Sequence, residues 1–223
     1  MEELNFTPFI LSFKLAAITT AILFFISLPI AWYLAFSKSK LKPFIEAIIA
    51  LPIVLPPSVL GFYLLVFLSK NSAIGEFLEK YFNIELIFSF SGLVVASVIY
   101  SFPFMVQPLQ SGFESLNKSM IEASFISGKG VITTLFKVAL PNIKPALMTA
   151  LIITFAHTIG EFGVVLMVGG SIEGETKVAS IAIYEMVESL DYKGAHIYSA
   201  ILLAFSFITL LVVYILNRKF KVK

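Results

Sequence analysis

Five long apolar stretches constrain most strongly how this chain of 223 residues can fold. A helix of roughly 20 apolar residues crosses a hydrocarbon layer about 30 Å thick, and each stretch reaches that length. Apolar residues make up 58% of the sequence and charged residues 13%, whereas soluble domains are about half apolar and about a quarter charged. The pattern therefore predicts an all-α polytopic membrane protein surrounded by membrane lipid. The predicted spans are residues 15–36, 44–68, 90–109, 145–168 and 195–216.

The composition also excludes several kinds of chemistry. The sequence has no cysteine, so it can form neither disulfides nor thiolate metal sites, and two histidines offer little for a metal cluster. We predict no catalytic residue, no metal, no cofactor and no nucleic-acid partner. The acidic N-terminus lacks the basic region of a cleaved signal peptide, so we expect the first span to be retained. We expect one domain at 10–216 and a basic cytoplasmic tail at 217–223.

The lysines and arginines are concentrated on one side of the predicted bundle. Eleven of them follow the first span, lie between the third and fourth spans, or close the chain, whereas the opposite loops hold four lysines outnumbered by acidic residues. By the positive-inside rule the basic side is cytoplasmic, which puts the N-terminus outside and the C-terminus inside. Five spans, an odd number, also put the two termini on opposite sides of the membrane. The eleven residues are Lys38, Lys40, Lys42, Lys118, Lys129, Lys137, Lys144, Arg218, Lys219, Lys221 and Lys223.

Prolines interrupt several of the predicted spans, at Pro29, Pro52, Pro56, Pro57 and Pro103. Each proline removes a backbone donor and tends to kink a helix. The Pro-Pro pair also forces extended backbone at its first residue, which is tolerable beside a cavity and poor against lipid. The prolines favour a translocation bundle over a set of simple anchors, and irregular packing is the alternative for any one of them.

The longest connection, residues 112–141, is predicted to form two short helices. In the first, Ile121 and Phe125 share a face, with Ser124 and Gly128 as a strip of small residues beside them. Glycines at 128 and 130 would end that helix. The second, at 131–138, would lay an apolar face on the bundle, made of Ile132, Leu135 and Phe136. Small residues bounded by glycine favour insertion into another protein's cleft, and the alternative is an interfacial helix that only joins two spans.

The fourth predicted span holds the clearest intramembrane acid, Glu161. His157 lies four residues before it and would share its face, with Thr154 and Thr158 on or beside that face. Ionisable groups at depth usually face the bundle interior or a cavity. Two interpretations stay open, a gate or dimer-interface element and a satisfied polar pair near the outer boundary. A carboxylate argues against a site for an anion, since two unit charges 4 Å apart repel by about 4 kcal/mol at an effective dielectric constant of 20.

A further amphipathic helix is predicted at 177–191. Its apolar face would contain Ile183, Met186, Val187 and Leu190 at helical spacing. It could lie on the membrane surface, act as a lid, or contact a substrate-delivery protein.

The loop at 112–141 resembles the docking loop of importer-type ABC permeases. In that family the pattern is Glu-Ala-Ala, three residues, Gly, nine residues, Ile-x-Leu-Pro. Here it is carried by Glu122, Ala123, Ser124, Gly128, Val138, Leu140 and Pro141, with Ser124 and Val138 as the only departures. The resemblance implies that the loop couples this chain to a separate ATPase, and Glu122 and Gly128 would sit in the helix seated in the ATPase groove. A phosphate-binding loop of the form GxxxxGK[ST] is missing from the sequence.

The whole chain also resembles the membrane subunits of molybdate ABC transporters. The resemblance is carried by residues 51–61 (LPIVLPPSVLG), 101–106 (SFPFMV), 160–163 (GEFG) and 174–176 (GET). It implies a type I importer domain in the cytoplasmic membrane that imports molybdate or tungstate, supplied by an extracytoplasmic binding protein and driven by cytoplasmic ATPase subunits. Five spans are too few to enclose a pathway alone, so a symmetric homodimer is the simplest assembly.

Residues of the translocation path can be named only as candidates. Pro56, Pro57 and Glu161 are candidates for the gate, while the hydroxyls of Ser58, Ser101 and Thr158 are candidates to contact the anion or, alternatively, to form interhelical hydrogen bonds. A sulfate or thiosulfate permease is the closest alternative function. A small lipid-modifying enzyme is disfavoured because no acid, base or metal cluster accompanies His157 and His196, and a scaffold is disfavoured by the docking loop.

Overall fold

The computed structural model describes residues 5–221, and the regular structure in that part of the chain is helical. The helices are α1 Thr7–Phe36, α2 Lys42–Val54, α3 Pro57–Leu68, α4 Ala73–Phe82, α5 Phe90–Glu114, α6 Lys118–Ile126, α7 Val131–Thr134, a π-helical turn Leu135–Ala139, α8 Leu140–Asn142, α9 Lys144–Gly160, α10 Gly163–Gly169, α11 Ala179–Glu188 and α12 Tyr192–Lys221. Helices α1, α5 and α12 are long and apolar enough to cross a membrane. The number rises to five if each of two bent pairs counts as one span, namely α2 with α3 (109°) and residues 131–142 with α9 (86°). This confirms the predicted all-α polytopic class.

The second predicted span is not a continuous helix. Helices α2 and α3 are bent by 109° at Leu55 and Pro56, and both of these residues have extended backbone. Pro57 excludes the helical conformation at Pro56, and neither proline can donate a backbone hydrogen bond. The predicted interruption at the Pro-Pro pair is confirmed, and the span predicted at 44–68 is a bent pair of helices.

The fourth predicted span is also broken, and the break is at Glu161. Helix α9 ends at Gly160, Glu161 has extended backbone with φ −67° and ψ 136°, and α10 begins at Gly163. Glycine has a low helix propensity, so the two flanking glycines weaken the helix here. The expectation that His157 and Glu161 share one helical face is therefore wrong, because the helix ends between them.

Packing shows that α1 and α5 run in the same direction. Near their starts, Leu11 and Leu15 of α1 pack in one cluster with Leu93 of α5. Near their ends, the rings of Trp32 and Phe113 meet edge to face at 5.3 Å. We call the end where α1 and α5 terminate the loop end of the bundle, because residues 112–141 follow from it.

The two broken spans cross the bundle between its ends. Helix α2 starts at the loop end, where Lys42 Nζ lies 2.9 Å from Glu114 Oε1, and α3 finishes at the opposite end, where Leu68 packs in one cluster with Leu86 and Ala96. Helices α9 and α10 follow the same course. Helix α9 starts beside Gly112 at the loop end, and Val168 of α10 packs in the cluster with Leu68 at the opposite end. Helix α12 starts beside Phe9 through Tyr198, and the described residues contain three to five candidate spans, so the five predicted spans are the upper number.

Helix α11 differs from the prediction for 177–191. Its buried face contains Ala179, Ile181 and Ala182, whereas Val187 is exposed and Leu190 is 70% exposed. The helix ends at Glu188, and Leu190 has a positive φ of 62°, so the predicted apolar face cannot continue. The main chain of Ala179 donates a hydrogen bond to Ser12 Oγ (2.9 Å), which ties this helix to α1.

The basic tail predicted at 217–223 is, as far as residue 221, the end of the last helix. Helix α12 continues through Lys221, so residues 217–221 of the predicted tail are helical. The last two residues of that tail, 222 and 223, lie outside the described residues.

Candidate functional site

The first region to consider is the loop after α5. Asn117 caps α6 by accepting a hydrogen bond from the Ser119 amide (3.1 Å). The helix ends at Ser127, and Gly128 follows with a φ of +76°. A side chain at Gly128 would meet no atom within 4 Å, so the backbone conformation, and not space, requires glycine there. The predicted glycine end of the first helix is confirmed.

Ser124 points into the loop, whereas the sequence predicted that it belongs to a strip of small residues facing a partner's cleft. Its hydroxyl is buried and lies 2.8 Å from Thr134 Oγ1, so it joins α6 to α7. Ile121 is buried on the same side of α6. The two short helices of the loop therefore pack on each other through these residues.

The outward surface of the loop is apolar. Ile126 is 87% exposed and Ile132 is 74% exposed, and the other exposed apolar residues of this surface are Phe125, Val131 and Phe136. We call these five residues the loop knob. The expectation that Ile132 and Phe136 lie on the bundle is wrong, and only Leu135 of that predicted face is buried. The π-helical turn at Leu135–Ala139 takes up an extra residue and so changes which side chains point inward.

The remaining residues of the predicted docking pattern lie around this knob. Glu122 and Ala123 are exposed on α6, and Pro141 is exposed on α8, whereas Leu140 is buried in the main core. Pro141 does not stop the helical path, because α8 continues to Asn142.

The second region is a cavity of about 450 Å³ where α3, α5 and the α9–α10 break meet. Gly163 lies against Pro57, and a Cβ atom built on Gly163 would be only 2.7 Å from the Cβ of Pro57. The bends of the two broken spans are therefore in direct contact. The cavity is lined by Pro57, Tyr100, Ala156, His157, Gly160, Glu161, Phe162 and Gly163.

His157 is held by aromatic and hydroxyl groups of α5. Its ring stacks on Phe104 with centroids 3.9 Å apart, and the ring of Tyr100 is 5.1 Å away. Its Nδ1 atom lies 3.1 Å from Ser101 Oγ, which is also 3.1 Å from Thr158 Oγ1. The structure thus brings Ser101 and Thr158 together, but behind His157 and not among the residues that line the cavity.

The other path candidates are divided. Pro57 and Glu161 line the cavity, whereas Pro56 and Ser58 are exposed and do not line it. Sequence reasoning missed Tyr100. The only available signal was its position four residues before Phe104, which places both rings on the face of α5 that meets His157.

Glu161 is buried at 4% exposure, and within residues 5–221 its carboxylate makes no ion pair and lies beside the Ser97 hydroxyl. The Thr154 hydroxyl is buried without a hydrogen-bond partner in the described part of the chain. The main chain of Glu161 is fixed, since its carbonyl accepts a hydrogen bond from Ser180 Oγ of α11 (2.5 Å). A satisfied polar pair with His157 is therefore wrong. Buried groups of this kind are costly, and inside membranes they usually mark a functional position.

A third polar group lies at the loop end, between α2 and α5. Lys42 contacts Glu46 (3.6 Å) and Glu114 (2.9 Å), while Gln110 Nε2 donates to Glu46 Oε1 (2.6 Å) and to Glu114 Oε1 (3.0 Å). These side chains border a groove of about 420 Å³. They tie the first half of the broken span to the end of α5. The sequence analysis used Lys42 only for orientation and did not find this network.

An all-helical bundle with three to five candidate spans and a helical loop after α5 is the architecture of a type I ABC importer transmembrane domain. The same fold occurs in a bacterial ABC transporter involved in the import of the acidic polysaccharide alginate, with a TM-score of 0.79 and 15% identity over 98% of this chain and 80% of that one. Residues 27–222 match the family of binding-protein-dependent transport system inner membrane components, and this chain belongs to that family.

Two relatives describe the family more closely. The chain is 43% identical to the molybdenum transport system permease protein ModB of Azotobacter vinelandii, over 99% of this chain and 97% of that protein. It is 33% identical to a probable sulfate transport system permease protein, cysT, of Prototheca wickerhamii, over 84% of this chain and 72% of that protein.

Proposed function

We propose that this chain is the permease subunit of an importer for molybdate or tungstate in the cytoplasmic membrane. The observation that carries the anion assignment is the 43% identity to a molybdenum permease over nearly the full length of both chains. Two segments that resemble molybdate permeases, residues 51–61 and 160–163, contain the bends that meet at the cavity. The likeness therefore lies where the transported ion would pass.

The loop knob is the proposed contact for a separate ATPase. An apolar surface on a loop outside the membrane bundle marks a contact for a protein partner. The bundle does not bury this surface, and its exposure to water is unfavourable. Gly128 ends α6 beside it, and Glu122 and Ala123 border it. Energy from ATP would then reach the spans through the helical path α7–α8 into α9, which is the span that ends at Glu161.

We infer the orientation from charge. Lys38, Lys118 and Lys144 follow α1, begin α6 and begin α9, which are positions at the loop end. The positive-inside rule makes the loop end cytoplasmic, so that the ATPase docks there and the binding protein delivers the anion at the opposite end. A homodimer would place two such bundles around one pathway and present two loop knobs to two ATPase subunits.

The cavity at the two bends is the proposed gate. Tyr100 and His157 offer a hydroxyl and an imidazole to a passing oxyanion, whereas Glu161 would repel it if ionised. We infer that Glu161 acts by its position at the break of the fourth span and that it is not a ligand for the anion. The bends touch at Pro57 and Gly163, so a movement of one broken span displaces the other.

The test is uptake of radiolabelled molybdate by cells or vesicles containing the assembled transporter. We expect saturable uptake that tungstate inhibits and that an equal concentration of sulfate leaves nearly unchanged. Effective competition by sulfate would favour the second candidate, a sulfate or thiosulfate permease, which the similarity to cysT supports.

A further inference from the structure

Helix α4 is a feature that the proposed function does not use. Ser72 caps it by accepting a hydrogen bond from the Gly75 amide (2.9 Å), and Asn83 ends it in the left-handed conformation with a φ of 52°. Only residues 69–72 separate it from the end of α3, so it begins within about 18 Å of that end. Because α3 completes a membrane span, α4 must lie at the membrane boundary, at the end of the bundle opposite the loop.

The apolar sector of α4 is wider than the part that the protein covers. Gly75 and Leu78 face inward, since a Cβ atom on Gly75 would be 2.0 Å from the Ser69 carbonyl and Leu78 packs against the cluster that contains Leu64 and Leu68. Next to them on the helix is a second apolar strip, which remains exposed. Its residues are Ile74, Phe77 and Tyr81, spaced by three and four positions.

The opposite face of α4 is charged. Glu76 and Lys80 are exposed there, and Glu79 contacts Lys70 at 3.4 Å. Lys80 Nζ lies 5.8 Å from the centroid of the Tyr81 ring, so its aliphatic part runs past the ring while its ammonium group stays at the edge of the apolar strip. An apolar strip bordered by lysine on one side and packed protein on the other is typical of a helix lying in the headgroup region.

Apolar side chains are also exposed on α3. They include Phe62, Tyr63, Val66 and Phe67, and α3 is half of a membrane span. Tyrosine and other aromatic side chains are enriched where hydrocarbon meets water. The short connection of α4 to a span, and not apolarity alone, indicates that lipid covers its exposed strip.

We propose that α4 is an interfacial helix whose Ile74, Phe77 and Tyr81 insert among phospholipid headgroups and the upper acyl chains. It anchors the end of the half-helix α3, which the break at Pro56 separates from α2 and which would otherwise be held only by side-chain packing. The anchor keeps one side of the α2–α3 bend at a fixed depth while the other side moves. This proposal does not depend on which anion is carried.

The absence of cysteine from the sequence allows a clean experiment. Phe77→Cys and Tyr81→Cys are each labelled with a nitroxide, in the full chain assembled with its ATPase and reconstituted into phosphatidylcholine and phosphatidylglycerol bilayers. Power saturation then compares collisions with oxygen, which dissolves in lipid, and with a water-soluble nickel chelate. Glu76→Cys is the matched control on the charged face, and Phe62→Cys is the control for full lipid exposure.

We expect the ratio of oxygen to nickel accessibility at positions 77 and 81 to be several-fold higher than at 76 and lower than at 62. A ratio equal to that at 76 would overturn the proposal, because the strip would then face water. Labels shielded from both reagents would also overturn it, because a second copy of the chain or a binding protein would then cover the strip. If Phe77→Cys fails to assemble, Ile74→Cys reports on the same strip.

Discussion

Gly163 packs on Pro57 so closely that a side-chain carbon at position 163 would lie 2.7 Å from the Cβ of Pro57. This contact joins the two broken spans at their bends. Neither residue has a flexible side chain that could move away, since one is glycine and the other a ring fused to its backbone. The two bends therefore have to move together or separate.

The first prediction concerns this contact. Gly163→Ala should impair uptake strongly, because the added methyl group forces the bends apart at a cost of about 1–3 kcal/mol of overpacking. Gly160→Ala is the matched control, since a Cβ atom at Gly160 meets no atom within 4 Å. Initial rates of molybdate uptake at equal membrane content measure the difference. Equal uptake by both variants would contradict the joint movement.

The second prediction concerns the end of α6. Gly128→Leu should abolish uptake and ATPase co-purification while leaving membrane insertion intact, because a non-glycine residue in the left-handed region costs roughly 1–2 kcal/mol and changes the path of the loop. Gly130→Leu should be milder, since Gly130 has an ordinary φ of −73° and open space around it. Unchanged uptake and co-purification in Gly128→Leu would remove the docking assignment.

The third prediction tests the loop knob itself. Replacing Ile126 and Ile132 together with serine should weaken ATPase binding, because each buried apolar side chain of this kind contributes about 1.5–3 kcal/mol. The fold should be unaffected, since both side chains are exposed. Lys118→Gln on the same helix is the control. Co-purification yield after detergent washing measures the effect, and an undiminished yield for the double variant would mean that the ATPase binds elsewhere.

The fourth prediction concerns the hydrogen bond between Ser124 and Thr134. Ser124→Ala alone should lower the thermal midpoint, because it leaves the Thr134 hydroxyl buried without this partner at a cost of about 1–3 kcal/mol. The double variant Ser124→Ala/Thr134→Val should recover most of that loss. A thermal-unfolding double-mutant cycle measures the coupling between the two residues. Additive effects would show that the bond does not hold α6 to α7.

The fifth prediction concerns Glu161. Glu161→Gln should reduce uptake while leaving association with the binding protein intact, because the side chain lies at the break of the fourth span and away from either end of the bundle. Uptake and binding-protein pull-down are measured on the same membranes. Loss of pull-down in this variant would indicate a structural role for Glu161.

Local features of the sequence predicted much of this molecule. The five apolar stretches, the interruption at Pro56 and the glycine end of α6 depend on residue composition and backbone preferences that act over a few positions. Helix α4 was missed because its ten residues lack the length of a span, and its exposed strip resembles an ordinary amphipathic turn. The predicted face of α11 was right at Ile183 and Met186, which pack against the core, and wrong at Val187 and Leu190, because the helix ends at Glu188. The face of the second loop helix was wrong at Ile132 and Phe136, because a π-helical turn changed its register.

The sequence by itself determined the membrane class, the apolar stretches and the segregation of charge, because these follow from how apolar and charged residues are distributed along the chain. Only the tertiary structure decided that Ser124 faces inward and that Ser101 and Thr158 lie behind His157. It alone showed that Glu161 is buried without an ion-pair partner in residues 5–221 and that Pro57 touches Gly163. These relationships depend on how each helix is rotated and bent against its neighbours, and that is fixed by packing between segments far apart in the chain.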